Sequence, residues 1–207
     1  HESEQILDQA DPQTTKNSTG YALTQVVQKD GSFDLTPLFV GSQGTLGIVT
    51  AAQLQAQPHN SQSSLAMIGF TKIDDLAILT NRVLSLEPSA VEVIDKNLLN
   101  QVHRLQPNQL AGIIDAPYPN FVLIIEFDDL KERDRARKLK KLNKILEELD
   151  GQLIAETTDP EERERIWKVR NSAAVLMSAN FKGKVALPII EDGCVPPENF
   201  PKLISGT

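Results

Sequence analysis

The chain of 207 residues has one cysteine, Cys194, so no internal disulfide framework can form, and a reducing compartment is the natural expectation. It has no excess of basic residues. Lys and Arg number 21 against 28 Asp and Glu, a net charge of −7, and no global positive field exists to draw phosphate backbones or anionic lipid. Nucleic-acid and membrane partners are therefore not expected. No stretch approaches the ~18 apolar residues of a membrane span, and the polar, acidic start from His1 to Gln5 is unlike a signal peptide, which points to a cytoplasmic protein. The three histidines, His1, His59 and His103, have no partner at metal-ligand spacing and are expected in solvent. What is present is ordinary for a globular protein: 40% hydrophobic and 24% charged residues, in a length sufficient for one large or two small domains. The chain starts at His1 rather than Met, which raises the expectation of a piece of something longer.

The first fifty residues are rich in turns. Asp30-Gly31 is a turn signal, and Gly41 to Thr50 (Gly-Ser-Gln-Gly-Thr-Leu-Gly-Ile-Val-Thr) spells a backbone-exposing loop running into a strand or short helix. Pro58 to Ser64 is the most linker-like stretch, which places a domain boundary there, with residues 1–57 before it and 58–207 after. Beyond it the pattern predicts a strand over 65–70, and a helix over 74–86 with Leu76, Leu79, Val83 and Leu86 on one face, stopped by Pro88. A strand over 91–94, a helix over 96–105 and a strand over 121–127 follow. A charged helix comes next, capped by Asp128 or Asp129, with Leu139, Leu142, Leu146 and Leu149 as its stripe and Gly151 as its C-cap. A strand over 152–156 leads to a helix opened by Asp159-Pro160. Strand, helix, strand, strand, helix, strand is the split βαβ, ferredoxin-like arrangement of an α+β domain, here with an extra helix between the second and third strands.

Gly41, Gly44 and Gly47 expose successive backbone N–H groups, and Ser42 and Thr45 add hydroxyls, so this loop could cradle a phosphate. The spacing is neither GxGxxG nor a Walker loop, and a plain tight turn stands as the other reading. Arg170 offers a permanently charged fork suited to a carboxylate, or it is a surface Arg pairing with Glu164 or Glu191. Trp167 reads as packing at a domain interface or as a substrate stacker; Glu92 and Asp95 as structural ion-pairing or hydrogen-bonding groups; Cys194 as a small core residue.

Lys16-Asn17-Ser18-Thr19-Gly20-Tyr21 and the run from Asp34 to Thr50 resemble the FAD-linked oxidases that act on D-2-hydroxy acids. That group includes the glycolate oxidase FAD subunit, D-lactate dehydrogenase and D-2-hydroxyglutarate dehydrogenase, whose flavin domain closes with "N-x-T-G-Y … D-L-x-x-L-F-x-G-S-E-G-T-L-G-I-I-T". Gln43 stands where Glu is commoner. The resemblance continues in Ala90 to Asp95 ("A-x-E-x-x-D"), Ile166 to Arg170 ("x-W-x-x-R") and Glu191 to Pro196 ("E-D-x-x-V-P"). It implies that residues 1–57 close a PCMH-type FAD-binding domain and that 58–207 form a substrate, or cap, domain incomplete at its C-terminus. It further implies FAD contacts from Gly44, Thr45, Leu46, Gly47 and Ile48, and a substrate carboxylate on Arg170. A second basic residue of D-2-hydroxyglutarate dehydrogenase falls at Ile190, a departure that speaks against a dicarboxylate substrate.

In the family the pyrophosphate loop lies upstream of this region. A later "H-x-G-D-G-N-x-H" segment supplies the base, and in several members some of its histidines hold a divalent metal. The implied reading is the central fragment of an enzyme that oxidises a small D-2-hydroxy acid of the glycolate or D-lactate class, inactive on its own. The electron acceptor stays open, and a homodimer is compatible with the family. The reading from another class is a non-catalytic α+β binding or interaction module derived from it.

Overall fold

The computed structural model describes residues 6, 14, 20–56, 58, 60–178 and 195–206. The chain divides into two compact units, His1–Pro58 with Asp192–Asn199, and His59–Glu191 with Phe200–Thr207.

In the first unit, Val27 and Phe33 form an isolated antiparallel bridge around Asp30-Gly31. Gly31 takes φ 82°, a left-handed conformation open to glycine, and Asp30 Oδ1 accepts the Ser32 N–H at 2.9 Å, so the sequence signal is a turn in the structure too. A single helical turn, α1 (Thr36–Phe39), follows, its Thr36 N–H held by Asp34 Oδ1 at 2.9 Å. Residues 47–56 carry neither helix nor strand, contrary to the expectation drawn from Ile48, Val49 and Thr50. β-branched residues favour an extended backbone, but a strand also needs a neighbour to complete its ladder, and no described residue pairs with this segment. Ser42 is the one buried residue among those described between 20 and 56, while Phe33, Leu35, Ile48 and Leu54 lie exposed.

The second unit carries β1 (Ser64–Phe70), α2 (Ile73–Leu84), β2 (Ala90–Asp95), α3 (Lys96–Leu105), β3 (Phe121–Phe127), α4 (Glu132–Leu146), β4 (Gly151–Thr157), α5 (Pro160–Ser178) and α6 (Phe200–Gly206). The strands pair in the order β2-β3-β1-β4, and every pair is antiparallel. This is the ferredoxin-like order expected from the sequence, with α3 as the inserted helix.

Both faces of the sheet are covered. Ala66, Ile68, Phe70, Leu123, Ile125 and Phe127 pack against Leu76, Leu79 and Val83 of α2 and Leu139, Leu142 and Leu146 of α4. Leu65, Met67, Ile94, Val122 and Ile124 pack on the other side against Leu99 and Val102 of α3 and Ile166 and Val169 of α5. Covered on both sides, β1 and β3 are apolar at consecutive positions rather than alternating, which is why their sequences read as unbroken runs.

Three local expectations are corrected. Helix α2 ends at Leu84, before Pro88 is reached, and Leu86 is buried from the turn that follows. Neither Asp128 nor Asp129 caps α4: its N-cap is Lys131, and the Asp129 carboxylate instead meets Lys138 Nζ at 2.9 Å. Gly151 is not a helix cap but the first residue of β4, and Leu149 lies beyond the end of α4. A Cβ at Gly151 would stand 2.5 Å from Leu146 Cδ1 and 2.6 Å from Phe70 Cε1, so close packing is what requires glycine there.

Candidate functional site

In the first unit the glycine loop is a succession of tight turns, with φ of 80° at Gly41, 52° at Gln43, 80° at Gly44 and 151° at Gly47. The Thr45 N–H and hydroxyl both donate to the Ser42 carbonyl, at 3.0 and 2.7 Å. With its proton so used, Thr45 Oγ1 accepts from the Tyr21 hydroxyl at 2.8 Å. Two separate stretches of the sequence signature, the one ending in Tyr21 and the one holding Thr45, are thereby tied together. Added Cβ atoms at Gly44 and Gly47 would meet nothing within 4 Å, so positive φ, not crowding, explains those glycines. The turn presents bare backbone flanked by half-exposed Leu46 and by Ile48, which is 92% exposed. It carries no charge. Such a surface fits a flat, largely apolar cofactor ring contacted through the main chain, and Gly44, Thr45, Leu46, Gly47 and Ile48 are the residues that offer it.

In the second unit Arg170 lies on α5, one residue beyond the buried Val169. Its Nε and Nη2 both donate to Glu92 Oε2, at 3.1 and 3.0 Å. Glu92 stands on β2 two residues from buried Ile94, on the sheet face that α5 covers. The two side chains are 43% and 34% exposed, within reach of solvent and of a solute. Glu164, one of the two partners the sequence offers for a surface Arg170, pairs with Lys168 at 3.1 Å, one helical turn away. Glu191, Ile190 and Cys194 lie outside the described residues, as do His1, His59 and Lys16 to Thr19.

The remaining residues of the signature have structural work. Asp95 caps α3, its Oδ1 accepting the Leu98 N–H at 2.9 Å. Trp167 packs, partly buried, against the cluster formed by α3, α5 and the sheet. His103 is exposed as expected, yet it has a partner, with Nδ1 3.0 Å from the Tyr118 hydroxyl. Burial, reinforced by the negative charge of Asp115, raises the Tyr118 phenol above its ordinary range.

Sequence reasoning missed a second charged contact of α5. Arg163 Nη1 donates to Ser63 Oγ, Ser63 Oγ donates to Glu126 Oε1, and Arg163 Nη2 reaches the Ser61 carbonyl at 2.9 Å. Its signal was Glu126, the lone acid within the apolar run of β3. On the opposite face of the sheet a cleft of about 420 Å³ lies between α4 and β4, lined by Lys140, Asn143, Lys144 and Glu156 among others. It contains none of the candidate residues. Among the described residues no three metal-ligating side chains converge, and no helix is long and apolar enough to cross a membrane.

Residues 59–207 match the family described as FAD linked oxidases, C-terminal domain. The chain belongs to that family. Among relatives, it is 27% identical over 175 residues to the mitochondrial D-lactate dehydrogenase (cytochrome) of Arabidopsis thaliana, covering 84% of this chain and 29% of that protein. It is 30% identical over 203 residues to the D-2-hydroxyglutarate dehydrogenase of Pantoea ananatis (91% and 20%). It is also 30% identical over 210 residues to that of Haemophilus influenzae (94% and 20%). The chain thus spans 20–29% of the length of these relatives.

Proposed function

We infer that this chain is the central part of a flavin-dependent dehydrogenase that oxidises a small D-2-hydroxy acid of the glycolate or D-lactate class to the 2-oxo acid. Residues 1–57 close its FAD-binding domain and 58–207 begin its substrate domain. The observation that carries the reading is the half-exposed Arg170 fork on a helix of the substrate domain, in a chain of the FAD linked oxidase family.

In this reading the substrate carboxylate takes Arg170, which fixes the α-carbon relative to the helix. The backbone of Gly44 to Ile48 would hold the flavin, with the Tyr21–Thr45 hydrogen bond keeping the turn in shape. Bound FAD would supply the acceptor for the hydride of the α-carbon. The hydroxyl proton passes to a base, and the carbon–oxygen double bond forms. Nothing in this chain is assigned as that base; the resemblance places it in the later histidine segment, along with any divalent metal.

The test is to isolate the whole protein and this 207-residue chain side by side. The whole protein is expected to retain FAD through desalting and to reduce an artificial electron acceptor with D-lactate. The chain alone is expected to be folded, colourless and inactive. A whole protein without flavin, or one that oxidises no D-2-hydroxy acid, would overturn the reading.

A further inference from the structure

Helix α4 holds seven cations and two acids, a net charge of +5 in a chain whose net charge is −7, so the remaining residues together carry −12. The cations are not spread around it. At 3.6 residues per turn, Arg133, Arg137, Lys140, Lys141 and Lys144 fall within a sector of about 100° and run for about 16 Å, opposite the buried Leu139, Leu142 and Leu146. All five are exposed. Arg133 and Arg137, Arg137 and Lys141, and Lys140 and Lys144 stand four residues apart, where like charges repel and weaken a helix, whereas a merely solvated face mixes the two signs. Acids bracket the row, with Glu132 and Asp134 in the first turn and Glu147 and Glu148 past the last; Asp134 meets Arg137 at 3.3 Å. Beside the row, between α4 and the sheet-edge strand β4, runs the cleft of about 420 Å³, lined by Lys140, Lys144 and Asn143 and, across from them, by Glu156. Asn143 Nδ2 donates to Glu156 Oε2 at 2.9 Å, which ties the helix to the edge strand.

We propose that the outer face of α4 is a docking surface for an acidic segment of another protein, whose carboxylates pair with the row from Arg133 to Lys144. It stands independently of the reading of Arg170, because α4 and α5 cover opposite faces of the sheet. The argument is charge complementarity. A row of like charges that weakens its own helix is offset when a partner brings the opposite charge to it, and a partner carboxylate at each helical turn would meet one cation of the row. The occupant is a protein segment because the row is short and bounded. A nucleic-acid duplex or an anionic lipid surface extends past 16 Å on every side, and would meet the bracketing acids and the −12 of the remaining chain. An acidic segment of matching length would meet the cations alone.

The experiment uses the whole protein and a fluorescent, alanine-rich helical peptide with four glutamates at i, i+4, i+7 and i+11, its affinity read by fluorescence anisotropy at about 0.1 M salt. A second peptide carries the same four glutamates spread around the helix. The aligned peptide is expected to bind about tenfold more tightly than the spread one, and Lys140→Ala with Lys144→Ala to weaken it about tenfold. The control pair Lys29→Ala with Lys72→Ala removes the same charge elsewhere on the surface and should leave the affinity unchanged. All four lysines are exposed, so the variants retain the core. No binding of the aligned peptide, equal binding of the two peptides, or the same loss in the control pair overturns the proposal. So does tighter binding of duplex DNA or of phosphatidylglycerol vesicles than of the aligned peptide, since the row would then serve a different class of partner.

Discussion

Arg163 of α5 lies 3.7 Å from Glu126 of β3, two helical turns before Arg170 of the same helix meets Glu92 of β2. The helix that carries the candidate substrate residue is thus fastened to the sheet by charge at two points, with Ile166 and Val169 buried between them. The Arg163 and Glu126 side chains are only 12% and 19% exposed. Removing one partner of such a pair leaves a poorly solvated charge, and Arg163→Met is expected to cost about 3 kcal/mol. Urea unfolding of the chain measures it. The double change Arg163→Met with Glu126→Met should recover most of that loss, since no lone charge is then left; an additive or larger loss would contradict the account.

Gly151 supplies a packing test. A methyl group there would press on Leu146 Cδ1 and on the Phe70 ring, at 2.5 and 2.6 Å. Leu146 can shift more easily than the ring, so Gly151→Ala is expected to destabilise by about 1–3 kcal/mol, read as a lowered Tm. An unchanged Tm would mean that β4 and α4 are not packed as described.

Asp95 belongs to the same short signature as Glu92, and its carboxylate caps α3. Asp95→Ala should cost about 1 kcal/mol of stability by removing the cap of α3, and Asp95→Ser should restore most of it. In the whole protein neither change should move KM for the hydroxy acid, and a raised KM would place Asp95 in the site.

Tyr118 predicts a pH dependence. Burial first, and the nearby Asp115 charge second, raise its phenol above the ordinary range near 10, so the folded state holds the proton more tightly than the unfolded chain does. The stability from this group is fully present below the unfolded value and is lost as pH rises through the folded one. Thermal melts of the wild-type chain should fall above about pH 10, and Tyr118→Phe should fall less steeply there. Equal slopes would show that Tyr118 does not carry the effect.

The order of strands and helices in the second unit was legible because apolar runs and periodic leucines report burial directly. Their ends were less so: Gly151 looks the same in sequence as a helix cap or as a packing requirement, and only the Phe70 and Leu146 side chains distinguish the two. The turn at Gly44 and the fork at Arg170 were visible as candidates from residue type and family resemblance. Their partners were not. Glu92 and Arg170 are 78 residues apart, and Ser63 and Arg163 are 100 apart, so pairing arises from the sheet register and the docking of α5, neither of which a local pattern encodes.

Flavin-dependent oxidation of a D-2-hydroxy acid is the activity proposed for the protein to which this chain belongs. Its most direct test is the flavin absorbance of the whole protein under anaerobic conditions on adding D-lactate, with L-lactate as the control. Bleaching by the D enantiomer alone is expected, lost or greatly slowed in Arg170→Met. A flavin that stays oxidised with D-lactate and with glycolate, or that bleaches equally with both enantiomers, would contradict it.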